Sequence, residues 1–218
     1  MFTKMNEYSV KINPRCHGTL IDVCGTGGDN LQTFNISTAA AFVIAGAGGN
    51  VAKHGNRSVS GISGSADIFE YFGFDLNSEP WVVEEMIEKI GIGFMFAPTF
   101  HPAMKNVAPA RKILGKRTAF NLLGPLCNPA KVRHQMIGVF ADNYIERIAR
   151  IMQKNFSDTV LTVRSNDGMD ELSTTSKNKA CLLKNEEITE FIIDPSMYNL
   201  EKGNLVDIQI STKKEAID

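Results

Sequence analysis

The sequence predicts an α/β fold in which a mostly parallel central sheet is flanked by helices. Three observations carry this. Short apolar runs alternate with helical patterns, a glycine-rich turn follows the first apolar run, and 43% hydrophobic residues over 218 positions suffice for one sizeable core. A single domain over 1–218 is expected, with residues 1–18 as a lead and 196–218 as the segment most prone to mobility.

The elements follow in order. Residues 19–23 read as a buried strand, ending in Gly25-Thr26-Gly27-Gly28-Asp29, and Asn35-Ile36-Ser37-Thr38 offers capping side chains before the alanine-rich helix that starts at Ala39. A short second strand, Asn50-Val51-Ala52, runs into a polar loop, 53–61. Gly64 opens a helix through Tyr71, ended by Gly73. Ser78 is expected to cap the next helix, whose core stripe is Trp81, Val82, Met86, Ile87 and Ile90. Residues 93–97 read as a buried strand, 102–114 as a helix, 121–129 as a punctuated loop and 135–140 as a strand. Asp142 starts an amphipathic helix with Ile145, Ile148, Ile151 and Met152 on one face. A strand over 159–163 and a hairpin over 181–193, turning at Asn185-Glu186, complete the pattern.

Composition excludes several function classes. A net charge of -1 and a pI near 6.4 give no basic footprint, so nucleic acid is not an expected partner. Residues 1–14 hold no apolar core segment and no run is long enough to span a bilayer, which makes a cytoplasmic protein without membrane association the expectation. Cys16, Cys24, Cys127 and Cys181 are scattered and read as reduced thiols. His17, His54, His101 and His134 form no ligand pair at helical spacing, so any metal should be a hard cation held by oxygen, Mg²⁺ with phosphate.

Ligands of parallel sheets collect at the carboxyl ends of the strands, and four polar loops follow predicted strands there: 25–29, 53–61, 98–101 and 165–171. Strand, glycine loop and helix N-terminus together form a phosphate cradle, although such a turn also serves simple chain reversal. It is neither a Walker loop nor the dinucleotide fingerprint, and its Asp29 points to a metal, a ribose hydroxyl or an inward salt bridge. Lys53-His54-Gly55-Asn56-Arg57-Ser58 is rich in phosphate donors, and otherwise a solvated loop. Asp170-Glu171 are solvated acids or, with Ser37 and a phosphate, an octahedral Mg²⁺ site. Arg111 matches a carboxylate with its fork.

These runs, together with Gly64-Ser65-Ala66-Asp67, the stretch from His101 to Arg111, Arg117-Thr118-Ala119-Phe120-Asn121-Leu122-Leu123-Gly124-Pro125-Leu126 with Asn128-Pro129, and Asp167-Gly168-Met169-Asp170-Glu171, closely resemble anthranilate phosphoribosyltransferases. The resemblance covers about 21–195. It implies a nucleoside phosphorylase/phosphoribosyltransferase-like domain that transfers phosphoribosyl from phosphoribosyl pyrophosphate to the amine of anthranilate in tryptophan biosynthesis. By that resemblance the donor is bound by Gly25, Gly28, Asp29, Thr33, Asn35, Ile36, Ser37, Thr38, Lys53, Asn56, Gly61 and Ser65. Mg²⁺ is carried by Ser37, Asp170 and Glu171. Anthranilate meets Gly25, Asn56, His101 and Arg111, and the catalytic set is Lys53, His54 and Arg111.

The resemblance also implies a homodimer, and it places helices before the glycine loop and after the Asp-Glu turn that this chain is expected to lack, so that a complementing chain is a candidate partner. Arg164-Ser165 stands where the pattern has His-Gly, and Gly61 where it has serine. Two further readings are a pyrimidine nucleoside phosphorylase-like enzyme and a non-catalytic ligand-binding relic.

Overall fold

In a computed structural model, the described residues are 2–58, 61–114, 118–155 and 157–217, without the side chains at 108, 111 and 112. The strands are β1 Leu20–Gly25, β2 Asn50–Gly55, β3 Ile92–Phe96, β4 His134–Gly138, β5 Thr159–Ser165, β6 Asn178–Lys184 and β7 Glu187–Ile193. The helices are α1 Phe2–Glu7, α2 Ile36–Gly46, α3 Ser65–Tyr71, α4 Pro80–Ile90, α5 Ala97–Phe100, α6 Ala108–Leu114, α7 Phe120–Leu126 and α8 Ile145–Lys154.

One sheet holds all the strands in the order β3-β2-β1-β4-β5-β6-β7. Pairing is parallel from β3 through β5 and antiparallel across β5-β6 and β6-β7. The mostly parallel α/β expectation therefore holds. The hairpin turns where expected, with Asn185 and Glu186 at φ 51° and 63°, the two left-handed residues that match a right-handed strand twist.

Both faces of the parallel part are covered, so successive residues pack into different cores. Val51 and Phe94 lie with Ala41, Ala66 and Phe69 beneath α2 and α3, whereas Ala52 and Met95 lie with Val83 and Ile87 beneath α4. A third core joins Ile137 and Val160 to Ile145, Ile148 and Met152 of α8.

Several elements depart from expectation, each for a tertiary reason. β2 continues through Gly55, because its register with β3 runs on to the pair Gly55 and Phe96, and this draws Lys53 and His54 into the sheet. The expected stripe of α4 is rotated: Val83 and Ile87 are buried, while Trp81 and Ile90 are exposed. A Cβ on Gly93 would stand 2.7 Å from Ile87 Cγ1 and 2.8 Å from the Val83 carbonyl, so the helix rests directly on that glycine and turns those two residues inward. Ile151 of α8 is likewise exposed, and buried Ala149 takes its place.

Ser78 does not cap α4, since its hydroxyl donates to the Asp75 carbonyl and Glu79 occupies the cap position. Asn35 sits at the N-cap of α2, but its side chain donates to Ser63 O instead. The helix expected over 102–114 splits into a 3₁₀ turn, Pro102–Asn106, and α6, because Pro109 has no amide to continue the ladder. Residues 121–126 are helical despite Gly124-Pro125, as Leu123 and Leu126 bury their side chains in the third core.

Candidate active site at the switch point of the sheet

Chain order reverses at β1, which has β2 on one side and β4 on the other, so a crevice opens at the carboxyl ends of β1 and β4. There Gly25 pairs with Gly138. The Asp170 turn is seated on this glycine pair. A Cβ would stand 2.6 Å from Asp170 Oδ2 at Gly25 and only 1.5 Å from the Asp170 carbonyl at Gly138. The Gly27 amide then donates to Asp170 Oδ2 at 2.6 Å, which ties the glycine loop to the Asp-Glu turn.

Lys53 forms the floor. It is 1% exposed, in the interior of β2, where the sequence placed it in a donor loop. Its ammonium donates to Val23 O at 2.7 Å and Ser37 Oγ at 3.3 Å. Behind it lies Asp22, fully buried, accepting from the His54 amide and from Asn128 Nδ2, which also donates to Ala52 O. Burial pushes the Lys53 ammonium down and the Asp22 carboxyl up, and each opposes the other's shift through its charge.

His54 Nδ1 faces the Gly124 carbonyl at 3.2 Å and His101 Nε2 the Cys127 carbonyl at 3.0 Å, so those nitrogens carry the protons. The rings stand 4.9 Å apart. Burial, then the neighbouring His101, lowers His54 to about 3, and burial also lowers His101. Both rings are therefore neutral at physiological pH, with His54 Nε2 and His101 Nδ1 left as buried acceptors that have no protein partner.

Three carboxylates crowd the opposite wall. Asp170 is pushed up by burial and then by the charge of Asp29, while Glu171 is pushed up by burial and then by Asp170. The Ser37 amide at the start of α2 opposes the rise at Glu171. Lys53 offsets only part of this negative charge, so the cluster fits a hard divalent cation. Among the described residues no three acid, His or Cys side chains form a closed metal site.

The cavity encloses about 870 Å³ and is lined by Gly25, Gly28, Asp29, Thr33, Asn35, Ile36, Ser37, Thr38, Lys53, His54, Asn56, Gly61, Ser65, Asp170 and Glu171. These were sequence candidates, and the lining also holds residues that were not, among them Cys24, Thr26, Gly27, Gln32, Phe34, Arg57, Ser58, Ser63 and Asn121. Asn35 Oδ1, Thr38 Oγ1 and Ser63 Oγ are buried there without a protein partner. His101 is not in the lining but stands behind it against His54. Arg111 lies on α6, and its side chain falls outside the described residues, as does Arg117. Sequence reasoning missed Gly138, Asp22, Asn121 and Asn128. Gly138 left a signal as a glycine inside a predicted strand, and Asn121 and Asn128 stood in the runs that carry the resemblance.

The family model described as glycosyl transferase family, a/b domain, matches residues 17–218. The chain belongs to this family. Within it, the chain is 61% identical to an anthranilate phosphoribosyltransferase of Nitrosopumilus maritimus over 100% of its own length and 63% of that protein's. The crystal structure of anthranilate phosphoribosyltransferase from Thermus thermophilus superposes with a TM-score of 0.90 at 37% identity, covering 99% of this chain and 64% of that one. The Saccharomyces cerevisiae anthranilate phosphoribosyltransferase in complex with PRPP and Mg gives 0.87 at 29% identity, covering 99% and 59%. The chain thus spans somewhat under two thirds of the relatives it matches. In this glycosyl transferase domain the Asp-Glu turn is fastened by Asp167, whose carboxylate accepts from the hydroxyls of Ser165, Ser173 and Thr175. The serine at 165 is accommodated by joining that knot.

Proposed function

We propose that this chain carries the catalytic face of an enzyme transferring the phosphoribosyl group of phosphoribosyl pyrophosphate to the amine of anthranilate. The observation that carries it is the meeting, in one cavity, of the glycine loop, the α2 N-terminus and three incompletely neutralised carboxylates. Asp170, Glu171 and the Ser37 hydroxyl would hold Mg²⁺, which when bound offsets charge on the leaving pyrophosphate. The amides of the glycine loop and of the α2 N-terminus bind phosphate oxygens, and buried Lys53 sets a fixed positive charge beneath them.

In the reaction the anomeric C–O bond breaks with its electron pair leaving on pyrophosphate, the amine nitrogen bonds to the anomeric carbon, and a proton then departs. An aromatic amine is uncharged at neutral pH, so positioning outweighs proton abstraction. Neutral His54, with Nε2 a bare acceptor, orients and does not act as a strong base. Gly25, Asn56 and Arg111 are the proposed anthranilate contacts, and His101, set behind the lining against His54, backs that side without touching the cavity.

Incubation with phosphoribosyl pyrophosphate, Mg²⁺ and anthranilate, followed by loss of anthranilate fluorescence, is the test. No turnover at saturation refutes the activity for this chain. Calorimetric donor binding without turnover would identify a ligand-binding chain instead. We further propose a cytoplasmic homodimer, with sedimentation velocity distinguishing it from a 24.0 kDa monomer. No helix among the described residues is long and apolar enough to cross a membrane.

A further inference from the structure

The segment that follows the β6-β7 hairpin crosses back to the cavity. A 3₁₀ turn, Leu205–Ile208, leads into an antiparallel bridge between Gln209 and Thr33. The Phe34 amide donates to Ile208 O at 3.0 Å, the Ile210 amide to Gln32 O at 2.8 Å, and Gln209 Nε2 to Leu31 O at 2.9 Å. The backbone gripped in this way needs outside support. Asn30 and Gln32 hold φ of 61° and 56°, left-handed values that non-glycine residues keep only where neighbours impose them.

The same segment also reaches the second wall. Lys213 Nζ lies 3.2 Å from Asp67 Oδ1, the oxygen that accepts from Arg57 Nη1 at 2.9 Å, and Asp67 Oδ2 accepts from the Gly64 amide at 2.9 Å. Arg57 adjoins Asn56, whose carbonyl accepts from the Ala66 amide. Between the segment and helices α2 and α3 there remains a space of about 460 Å³, edged by Phe42, Phe72 and Ile208. The strap is therefore fastened at the two walls more than along its length.

We propose that residues 205–213 are a strap that sets the spacing of the two donor-binding walls, with Gln209 and Lys213 as positioning residues. Gln209 acts through residues 31–34 on the glycine-loop side. Lys213 acts through Asp67 and Arg57 on the side that carries Asn56. The inference rests on the donor reading of the cavity: a ligand bound through two separated phosphate groups is sensitive to the distance between walls that the sheet joins at their bases and that a side-chain hydrogen bond, Asn35 Nδ2 to Ser63 O at 3.1 Å, joins above.

The test is calorimetric binding of Mg²⁺-pyrophosphate and of phosphoribosyl pyrophosphate to the whole chain, with steady-state kinetics and melting temperatures alongside. Gln209→Ala and Lys213→Ala should each weaken donor binding about two- to tenfold, and the double variant more than either. The donor KM should rise with kcat unchanged, and amides 31–34 should lose hydrogen-exchange protection in Gln209→Ala. Lys214→Ala, one residue away, should bind as wild type. Variants that bind the donor as wild type does, or that lose kcat in step with thermal stability, overturn the strap alone. A wild-type chain that binds no donor overturns the donor reading and the strap with it.

Discussion

Gly138→Ala is the sharpest perturbation the site offers, because one methyl group meets the backbone of the proposed metal turn. The added Cβ would stand 1.5 Å from the Asp170 carbonyl oxygen and 2.5 Å from its carbonyl carbon. Ordinary contact requires about 3.5 Å, so the turn must retreat by about 2 Å. Gly138 sits in a strand hydrogen-bonded on both sides and cannot yield in its place. Overpacking of this kind costs about 1–3 kcal/mol, which lowers the melting temperature by roughly 2–12 °C in a chain of this size. The functional loss should be larger in proportion. Asp170 holds the Gly27 amide, so the glycine loop moves with it, and a misplacement of about 1 Å can already cost about a hundredfold in rate. Thermal melts, Mg²⁺-pyrophosphate calorimetry and anthranilate fluorescence give the three readouts. A variant that melts, binds and turns over like wild type would refute the claim that the glycine pair seats the turn.

Gly46→Ala is the same chemistry at a helical site where the new Cβ meets nothing within 4 Å, and it should raise stability by about 0.5–1 kcal/mol in urea denaturation. Lys53→Met removes the buried charge facing Asp22 and should cost about 3–5 kcal/mol, while the double variant with Asp22→Asn should cost less than the sum of the singles. His54 is held near 3 in the fold against 6.5 when unfolded, so its neutral form stabilises fully above pH 6.5. That contribution falls by about 1.4 kcal/mol per pH unit as the pH drops from 6.5 towards 3. Urea titrations from pH 7 to pH 4 should show His54→Asn with the shallower loss, and equal slopes would disprove the burial argument.

Much of the architecture was legible because strands and helices alternate with clear periods, and because a parallel sheet confines its ligands to one end. Of the cavity's lining, the residues most open to sequence reading were the glycine and the acid that follow a strand, Gly25 and Asp170. Local pattern failed where packing overruled it. Lys53 reads as a solvated cation until the register of β2 with β3 carries it inside, and the α4 stripe reads correctly until Gly93 rotates the helix by its close approach. Gly124-Pro125 reads as a break until Leu123 and Leu126 bury a short helix around it.

By itself the sequence determined the α/β class, the order of the elements and the chemistry available to the site, since these depend on residue type and spacing along the chain. The tertiary structure alone decided that Gly138 makes room for Asp170, that Asp22 and Asn128 stand behind Lys53, and that Gln209 fastens a loop 178 positions away from it in sequence. Contacts between residues so distant leave no local periodicity. They exist only once the strand order and register have fixed which residues stand beside one another.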